Sequence, residues 1–373
     1  MDRNKRLVFS QTVHPKIIYP TIDCQQKPHL LLLLSYCCFA LLLLSACDSL
    51  SRSGPLVISG NTMGTTYTVK VVGAKGDIVQ SVLQQQVEQL LMDINQRMST
   101  YIDSAEIMQF NRLAVDKWQQ VSPELFELVT LSLQFSELSN GYFDITVGPL
   151  IELWGFGRNL GSTVPLDEDI DKAKSRVGWQ QLHIDQQQQS LKKTADLWLD
   201  LSAVAKGYGV DKISELLDTL GAENYLVEIG GEMRVAGRNQ HQQPWRLAIE
   251  KPSIAARRAQ QVINLTDKAI ATSGDYRNYF EENGIRFSHT INPLSGRPVR
   301  HKIGSVTVIA DTAALADAWS TTLNVLGEEK ALALAEQENI AAYFILYTDQ
   351  VDKFTVVYTE GFKPYLQLGA VGN

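Results

Sequence analysis

The sequence predicts an α+β fold in which a largely antiparallel sheet packs against helices. Segments with the period of a β-strand outnumber segments with the period of a helix, and the two kinds do not alternate strictly along the chain. Glycine turns such as Gly230-Gly231 separate neighbouring strand segments, which favours hairpins. No repeat or linker interrupts the chain after its first 55 residues, so residues 56–373 are predicted to form a single domain.

Apolar spacing and helix-capping residues define the elements of the N-terminal half of this domain. The spacing of Val82, Leu83 and Val87 is that of an amphipathic helix, and Ser122 followed by Pro123 is typical of a helix start. The predicted elements are a strand pair or bulged strand over Val57–Val72, a helix over Ile78–Met98, a short helix that Ser104 caps and that ends at Phe110, a helix over Pro123–Leu138, a turn and short strand over Gly141–Pro149, a polar helix over Asp167–Val177, and a hairpin tip at Gln186–Gln189.

The stretch Leu199–Asp211 combines groups that suit an anionic ligand. The alternation of Leu197, Leu199 and Leu201 predicts a strand, small residues follow, and a helical apolar spacing begins at Val210. Asp200, Lys206 and two glycines therefore lie where a strand is predicted to meet a helix. The free N–H groups and the positive end of a helix bind anions there. The same residues are also compatible with an ordinary strand-to-helix connection, in which the glycines only form the turn.

The C-terminal half predicts mostly strands, followed by two helices. Thr312 or Asp311 is a suitable cap for the first of these helices. The predicted strands are Tyr225–Ile229, Met233–Ala236, Trp245–Ile249, Gln261–Leu265, Ala269–Thr272, Phe287–Ile291, Ser305–Ile309, Ala341–Tyr347 and Phe354–Thr359, and the predicted helices are Ala313–Leu326 and Glu328–Glu336.

The N-terminal segment predicts export and a lipid anchor. An apolar run over Leu30–Leu44 follows Lys16 and Lys27, and it is too short for a comfortable membrane span. It ends in Leu44-Ser45-Ala46-Cys47, which resembles a bacterial lipobox with Cys47 as the lipid-bearing residue. Residues 1–46 are thus a predicted signal peptide and residues 47–55 a lipidated tether. Asp48 resembles a signal for retention at the inner membrane, on its periplasmic face. A plain signal peptide with an incidental cysteine is the alternative.

Composition narrows the possible chemistry of the folded domain. All four cysteines precede residue 48, which excludes disulfides, thiolate metal sites and a cysteine nucleophile from the rest of the chain. The net charge is −7 and no basic stripe is present, so nucleic acid is not an expected partner.

Two further segments carry chemically useful side chains. Asp317 and Thr321 are four residues apart on one helix face, and their hard oxygens suit Mg²⁺ that also binds a phosphate. His289 ends a predicted strand and could act as a general base near neutral pH. Asp275 lies in a dense polar turn and is a second, less favoured base. Each of these residues is also compatible with a purely structural role.

Together, these segments resemble the ApbE-type flavin transferases, which are periplasmic FAD:protein FMN transferases. The resemblance extends from about Val57 to the C-terminus. It rests on Met63-Gly-Thr, Ser99-Thr-Tyr, Gly141-Tyr-Phe-Asp, Asp200-Leu-Ser-Ala-Val-Ala-Lys-Gly-Tyr, Ala271-Thr-Ser-Gly-Asp-Tyr-Arg-Asn, His289-Thr-Ile-Asn-Pro and Asp317-Ala-Trp-Ser-Thr.

The resemblance implies a T-fold-like catalytic domain and assigns roles to particular residues. It implies Mg²⁺ held by the Ala203 carbonyl, Asp317 and Thr321, with Ser320 adjacent. The FAD contacts that it implies are Met63, Tyr101, Tyr142, Phe143, Asp144, Asp200, Lys206 and Ile291.

The expected reaction is Mg²⁺-dependent transfer of FMN from FAD to a protein threonine, with release of AMP. The resemblance implies acceptors among the subunits of sodium-pumping NADH:quinone reductase or related membrane redox complexes. The alternative is a periplasmic lipoprotein that binds or hydrolyses FAD without transfer to protein. His289 and the Asp317–Thr321 pair favour the transferase, because storage of FAD needs neither.

Overall fold

The computed structural model describes residues 54–74, 78–158, 161, 163–252, 258–275, 278–350 and 353–366. These residues all belong to the compact unit that spans Ser53–Asn373. The predicted signal peptide and Cys47 lie outside the described residues. Within the described ranges, no helix is both long and apolar enough to cross a membrane.

An eight-stranded sheet, antiparallel at every junction, forms the centre of the domain. Its strand order is β1-β2-β6-β7-β10-β15-β16-β17. The strands are β1 (Leu56–Thr62), β2 (Thr65–Val71), β6 (Tyr225–Ile229), β7 (Glu232–Ala236), β10 (Lys268–Gly274), β15 (Ile303–Ala310), β16 (Ala341–Tyr347) and β17 (Phe354–Tyr358).

Four smaller antiparallel sheets surround it. They are a three-stranded sheet of β3 (Trp118–Gln120), β5 (Ser190–Lys193) and β4 (Leu182–Asp185), and three pairs: β8 (Trp245–Glu250) with β9 (Ala259–Leu265), β11 (Tyr279–Glu282) with β12 (Ile285–Ser288), and β13 (Ile291–Asn292) with β14 (Arg297–Pro298).

The helices observed in the described residues follow the apolar periodicity of the sequence. They are α1 (Gln80–Met98), α2 (Glu106–Arg112), α3 (Pro123–Leu138), α4 (Gly148–Leu153), α5 (Asp167–Lys174), α6 (Ala205–Thr219), α7 (Ala313–Leu326) and α8 (Glu328–Gln337), with 3₁₀ turns at Trp179–Gln181 and Glu360–Tyr365.

The central sheet separates two apolar layers. Val227 of β6 packs with residues of α1 and α6 on one face, whereas its neighbour Leu226 packs with the β8–β9 hairpin on the other face. This alternation is the one expected for a strand that is covered on both sides. The helix-covered face carries α6 and α7, and these two helices position the site described below.

Several sequence predictions are confirmed. Ser122 caps α3 by accepting a hydrogen bond from Leu125 N at 3.3 Å, and Pro123 is its first residue. Thr312, rather than Asp311, caps α7 by accepting from Leu315 N at 3.3 Å. The glutamine run forms the turn between β4 and β5, and residues 56–71 form a strand pair.

Other predicted boundaries were wrong. Ser104 does not cap α2, because the helix begins at Glu106 with Ala105 at the cap position and no side-chain cap. Gly141–Pro149 forms no strand, and Val147 makes only a single bridge to Trp198. The predicted strand over Phe287–Ile291 is divided between β12 and β13.

The segment before α6 is also not a strand, although Leu197, Leu199 and Leu201 are buried as the alternation predicted. The side-chain amide of Asn111 takes the place of a neighbouring strand. Its Nδ2 donates to the Leu199 carbonyl at 2.9 Å, and its Oδ1 accepts from Leu199 N at 2.7 Å. The helix that follows starts at Ala205, five residues before the predicted start, and so includes both glycines.

Candidate active site

A cavity of about 490 Å³ opens where α6 and α7 meet β6, β7 and β10. Its size is within the range of small-molecule and cofactor sites. The structure brings together on its wall most of the residues predicted from the sequence, namely Tyr142, Phe143, Asp144, Asp200, Ala203, Lys206, His289, Ile291, Asp317 and Thr321.

Close packing of α6 against α7 places the acidic side chain Asp317 at the first turn of α6. Gly207 N donates to Oδ2 of Asp317 at 3.1 Å. A Cβ atom on Gly207 would overlap the backbone carbonyl of Ala313, so only glycine allows this approach. Asp211, further along α6, holds the start of α7. Its carboxylate accepts from Ala313 N at 2.9 Å and from Ala314 N at 2.8 Å.

Two buried carboxylates flank one ammonium group on the cavity wall. Lys206 Nζ lies 3.6 Å from Oε1 of Glu232 and 3.8 Å from Oδ2 of Asp317. Burial raises the pKa of Asp317 to about 7, while the Lys206 charge opposes that shift. Burial acts to lower the pKa of Lys206, but the charges of Asp317 and Glu232 raise it overall.

Three hydroxyl groups from β10 and α7 form a cluster that includes a neighbour of Asp317 along its helix. Ser273 Oγ lies 2.8 Å from Ser320 Oγ and 3.1 Å from Thr321 Oγ1. Ser320 is fully buried and donates to the Asp317 carbonyl at 3.0 Å. Thr321 lines the cavity, whereas Ser320 supports the helix behind it.

The donor set on this wall fits a magnesium ion. Asp317, Thr321 and Ala203 all line the cavity. A carboxylate, a hydroxyl and a backbone carbonyl are the hard oxygen groups that Mg²⁺ accepts while keeping several waters. In the described part of the chain, no three His, Cys, Asp or Glu side chains form a metal-binding cluster. The set formed by Ala203, Asp317 and Thr321 does not need one, because it contains a single carboxylate.

His289 presents one ring nitrogen to a fixed acceptor. Its Nδ1 lies 3.0 Å from the Asn278 carbonyl, which also accepts from His289 N at 3.1 Å. A carbonyl only accepts, so Nδ1 carries the proton and the neutral ring keeps its lone pair on Nε2. Burial lowers the pKa of His289, the Asn278 carbonyl opposes that shift, and the Lys206 charge adds to it. The neutral form is therefore favoured at pH 7.

Asp144 and Asp200 fix the loops that form the rest of the wall. Asp144 accepts from the backbone and hydroxyl of Thr146 at 2.8 and 2.7 Å and from Trp179 N at 3.1 Å. Burial raises the pKa of Asp144, and these hydrogen bonds oppose the shift. Asp200 accepts from Ser202 N at 2.8 Å. Both carboxylates thus have local structural partners as well as a position on the cavity.

Four predicted site residues do not line the cavity. Met63 packs against the two apolar clusters on the helix-covered face. Tyr101 is 59% exposed, and its hydroxyl donates to a backbone carbonyl at 3.4 Å. Asp275 accepts from the Tyr347 hydroxyl at 3.1 Å, and burial raises its pKa while this hydrogen bond opposes the shift. Ser320, the fourth, lies behind Asp317.

Glu232 and Ser273 belong to the wall but were not predicted as site residues. Glu232 directly follows the glycine turn between β6 and β7, and it is only 4% exposed. An acidic residue at the buried start of a strand is unusual. This position was the one sequence signal that could have identified Glu232 as a site residue. Ser273 belonged to the predicted polar turn, but the sequence did not show that β10 would bring it beside α7.

The chain is similar to known proteins along most of its length. Residues 63–344 match the ApbE family. The chain is 42% identical over 328 residues to the FAD:protein FMN transferase of Vibrio cholerae serotype O1. The aligned region covers 88% of this chain and 97% of the relative.

Solved structures show the same fold. The flavin transferase ApbE from Vibrio cholerae superposes with a TM-score of 0.78 at 40% identity, over 84% of this chain and 99% of that chain. The apo form of the Pseudomonas stutzeri flavinyl transferase ApbE superposes with a TM-score of 0.77 at 41% identity, over 84% of this chain and 96% of that chain. The chain therefore belongs to the ApbE family.

Proposed function

We propose that this chain is an FAD:protein FMN transferase that uses Mg²⁺ to attach FMN to a threonine of an acceptor protein. The observation that carries the proposal is the convergence of Lys206, Asp317, Thr321 and His289 on one cavity. This wall combines cationic, metal-binding and proton-accepting groups, which are those that a phosphoryl transfer requires. The name of the Vibrio cholerae relative supports the same activity.

FAD is the proposed substrate of the cavity. The loop residues Tyr142, Phe143 and Asp144, together with Asp200 and Ile291, form the part of the wall that would contact it. Tyr142 is held by Lys330, whose Nζ donates to the tyrosine hydroxyl at 2.6 Å. Met63 and Tyr101 would reach FAD only from outside the observed cavity, so we regard them as secondary contacts.

Asp317, Thr321 and the Ala203 carbonyl are the proposed ligands of Mg²⁺. When bound, the ion would neutralise negative charge on the diphosphate as the bond between the FMN-side phosphorus and the bridging oxygen breaks. Gly207 N and the start of α6 add partial positive charge at the same place. Lys206 would supply a further positive charge near the phosphates.

His289 is the proposed general base. The acceptor threonine oxygen attacks the phosphorus on the FMN side of FAD, and its proton passes to Nε2 of His289. A phosphoester bond forms between threonine and FMN, while the bond from that phosphorus to the bridging oxygen breaks. AMP leaves with that oxygen and its electron pair. Asp275 is a less suitable base, because Tyr347 occupies one of its carboxylate oxygens.

The N-terminal sequence, which lies outside the described residues, supports a cellular location for this reaction. We propose that Cys47 is lipidated and that Asp48 retains the protein at the inner membrane, facing the periplasm. The proposed acceptors are subunits of sodium-pumping NADH:quinone reductase or of related membrane redox complexes. Flavin attachment would then be a maturation step for those flavoproteins.

The test is incubation of the chain from Asp48 onward with FAD, Mg²⁺ and a purified acceptor subunit. Intact mass should show one FMN added to the acceptor, with AMP formed in equal amount. An acceptor whose target threonine is replaced by alanine should remain unmodified. Free FMN and AMP beside an unmodified acceptor would instead establish an FAD hydrolase. Bound, intact FAD would establish a carrier.

A further inference from the structure

Lys206 shares its ammonium group between two carboxylates. Its Nζ lies 3.6 Å from Glu232 and 3.8 Å from Asp317, so neither pair has the short contact of an exclusive ion pair. The side chains of Glu232 and Asp317 are only 6% and 3% exposed, so solvent contributes little to either. The group carries a net charge of −1 when all three side chains are ionised.

The second oxygen of Glu232 is available for a further interaction. Its Oε2 atom is buried and has no hydrogen-bond partner within the described residues. A buried carboxylate oxygen without a donor is unfavourable, because it has lost water and gained nothing in exchange. Lys206 Nζ lies 3.6 Å from the other oxygen of the same carboxylate, and a small movement of the ammonium toward Glu232 would satisfy Oε2.

A divalent cation at Asp317 would make that movement favourable. The cation and the Lys206 ammonium would lie within a few ångströms of each other, and like charges at that separation repel strongly in a buried site. Glu232 belongs to β7 and Asp317 to α7, and both line the same cavity as Lys206. Glu232 can therefore accept the ammonium without removing it from the cavity.

We propose that Lys206 competes with Mg²⁺ for the Asp317 carboxylate and that Glu232 is the positioning residue that accepts the displaced ammonium. This inference rests on the proposed magnesium site. It gives Glu232 a role in setting metal affinity, and it keeps Lys206 beside the diphosphate once Mg²⁺ is bound. Neither residue is a metal ligand in this arrangement.

The experiment is measurement of Mg²⁺ affinity by isothermal titration calorimetry, without FAD or acceptor. Lys206→Met should raise the affinity several-fold, because the competing ammonium is gone. Lys206→Arg keeps the charge and should bind Mg²⁺ about as wild type does. Glu232→Gln should lower the affinity several-fold, because Lys206 then pairs with Asp317 alone. Circular dichroism checks that each variant is folded, and Lys206→Gln replaces Lys206→Met if that variant does not fold.

The double variant separates this mechanism from the loss of negative charge alone. If Glu232 acts through Lys206, Glu232→Gln should cost clearly less affinity in the Lys206→Met background than in the wild type. An equal cost in both backgrounds, or no gain from Lys206→Met, overturns the inference.

Asp317→Ala tests the metal site itself: unchanged Mg²⁺ binding in that variant would overturn the proposed site and this inference with it. Loss of binding in Asp317→Ala with no effect of Lys206→Met would overturn the inference alone.

Discussion

The backbone N–H of Gly207 donates to the carboxylate of Asp317 at 3.1 Å, across the contact between α6 and α7. This hydrogen bond joins the start of one helix to a side chain in the first half of the other. It holds the carboxylate on the same cavity wall as Ala203, which precedes α6, and Lys206, which lies in its first turn. The metal-binding and phosphate-binding parts of the proposed site are thus aligned by a helix contact rather than by loops.

Replacement of Gly207 by alanine tests this alignment. The new methyl group would overlap the Ala313 carbonyl, which belongs to the backbone and cannot easily move. We expect Gly207→Ala to reduce the free energy of unfolding by about 1–3 kcal/mol and to lower Mg²⁺ affinity. Urea unfolding and calorimetry measure the two effects. Gly54→Ala is the matched control, since no atom of the described residues beyond its chain neighbours lies within 4 Å of the added carbon. Equal stability of the two variants would contradict this expectation.

Much of this architecture follows from local sequence signals. Thr312 and the apolar spacing after it predicted α7 with its observed ends, Ala313 and Leu326. The four-residue spacing of Asp317 and Thr321 was sufficient to place both on one helix face. The resemblance to the flavin transferases then identified most of the residues that line the cavity.

The remaining features depend on contacts that are distant in sequence. Leu199 was predicted in a strand because its neighbours alternate, but Asn111, 88 residues earlier, satisfies its backbone with a side-chain amide. The role of Glu232 could not be predicted, because its partner Lys206 lies on α6 and the second carboxylate on that ammonium, Asp317, lies on α7. Periodicity describes one element at a time, and such pairings arise only when elements pack.

Asp211 should stabilise the domain through the N-terminus of α7. Its carboxylate accepts from Ala313 N and Ala314 N and also pairs with Arg234 at 2.9 Å. Asp211→Ala removes the acceptor for two backbone N–H groups in the first turn of α7 and leaves Arg234 without this partner, so we expect a loss of about 1–3 kcal/mol in unfolding free energy. Denaturant unfolding provides the measurement. Asp349→Ala, at a highly exposed pair with Lys302, should change stability by less than about 1 kcal/mol.

The metal ligands should respond differently to substitution. We expect Asp317→Ala to lower transfer activity by more than about 100-fold, since even residues that only support a ligand cost ~10–100-fold. Thr321→Ala loses a neutral ligand, and excess Mg²⁺ should restore part of its activity. Initial rates across a Mg²⁺ titration measure both. Full activity of Asp317→Ala in EDTA would exclude the metal from the mechanism.

The pH dependence of Mg²⁺ binding follows from the same carboxylate. Burial raises the pKa of Asp317 to about 7, so protons compete with the ion as the pH falls through that value. Mg²⁺ affinity should therefore be highest above pH 7 and should decrease toward pH 6. Calorimetric titrations in that range provide the check. A constant affinity from pH 6 to 8 would show that Asp317 is already fully ionised or is not a ligand.

Cys47 should determine where the protein is found. A diacylglycerol group adds about 0.8 kcal/mol of membrane affinity per buried CH₂, which is sufficient for stable anchoring by two chains. Cys47→Ser should therefore release a soluble protein that still transfers FMN to an acceptor. Membrane fractionation and a transfer assay on both fractions measure this. Wild-type protein in the soluble fraction would contradict lipidation, and wild-type protein in the outer membrane would contradict the role of Asp48.

His289 should affect the chemical step and leave FAD binding almost intact. Its Nδ1–H is committed to the Asn278 carbonyl, so Nε2 is the atom that can take the threonine proton. General-base catalysis typically contributes ~10²–10⁴-fold, and His289→Ala should lose about that much in transfer rate. FAD affinity, measured by fluorescence titration, should change little. A large loss of affinity with an unchanged rate at saturating FAD would show a binding role instead.

The pH profile provides an independent test of the same base. A base must be unprotonated to act, and burial lowers the pKa of His289 below its ordinary value of 6.5. In wild type, the midpoint of the acidic fall in kcat/KM should therefore lie below pH 6.5, provided that Mg²⁺ is saturating at each pH. The fall occurs as the ring becomes protonated. In His289→Ala this acidic limb should disappear from the residual activity. If the limb is unchanged in the variant, the titrating group is another residue and the proton is not taken by His289.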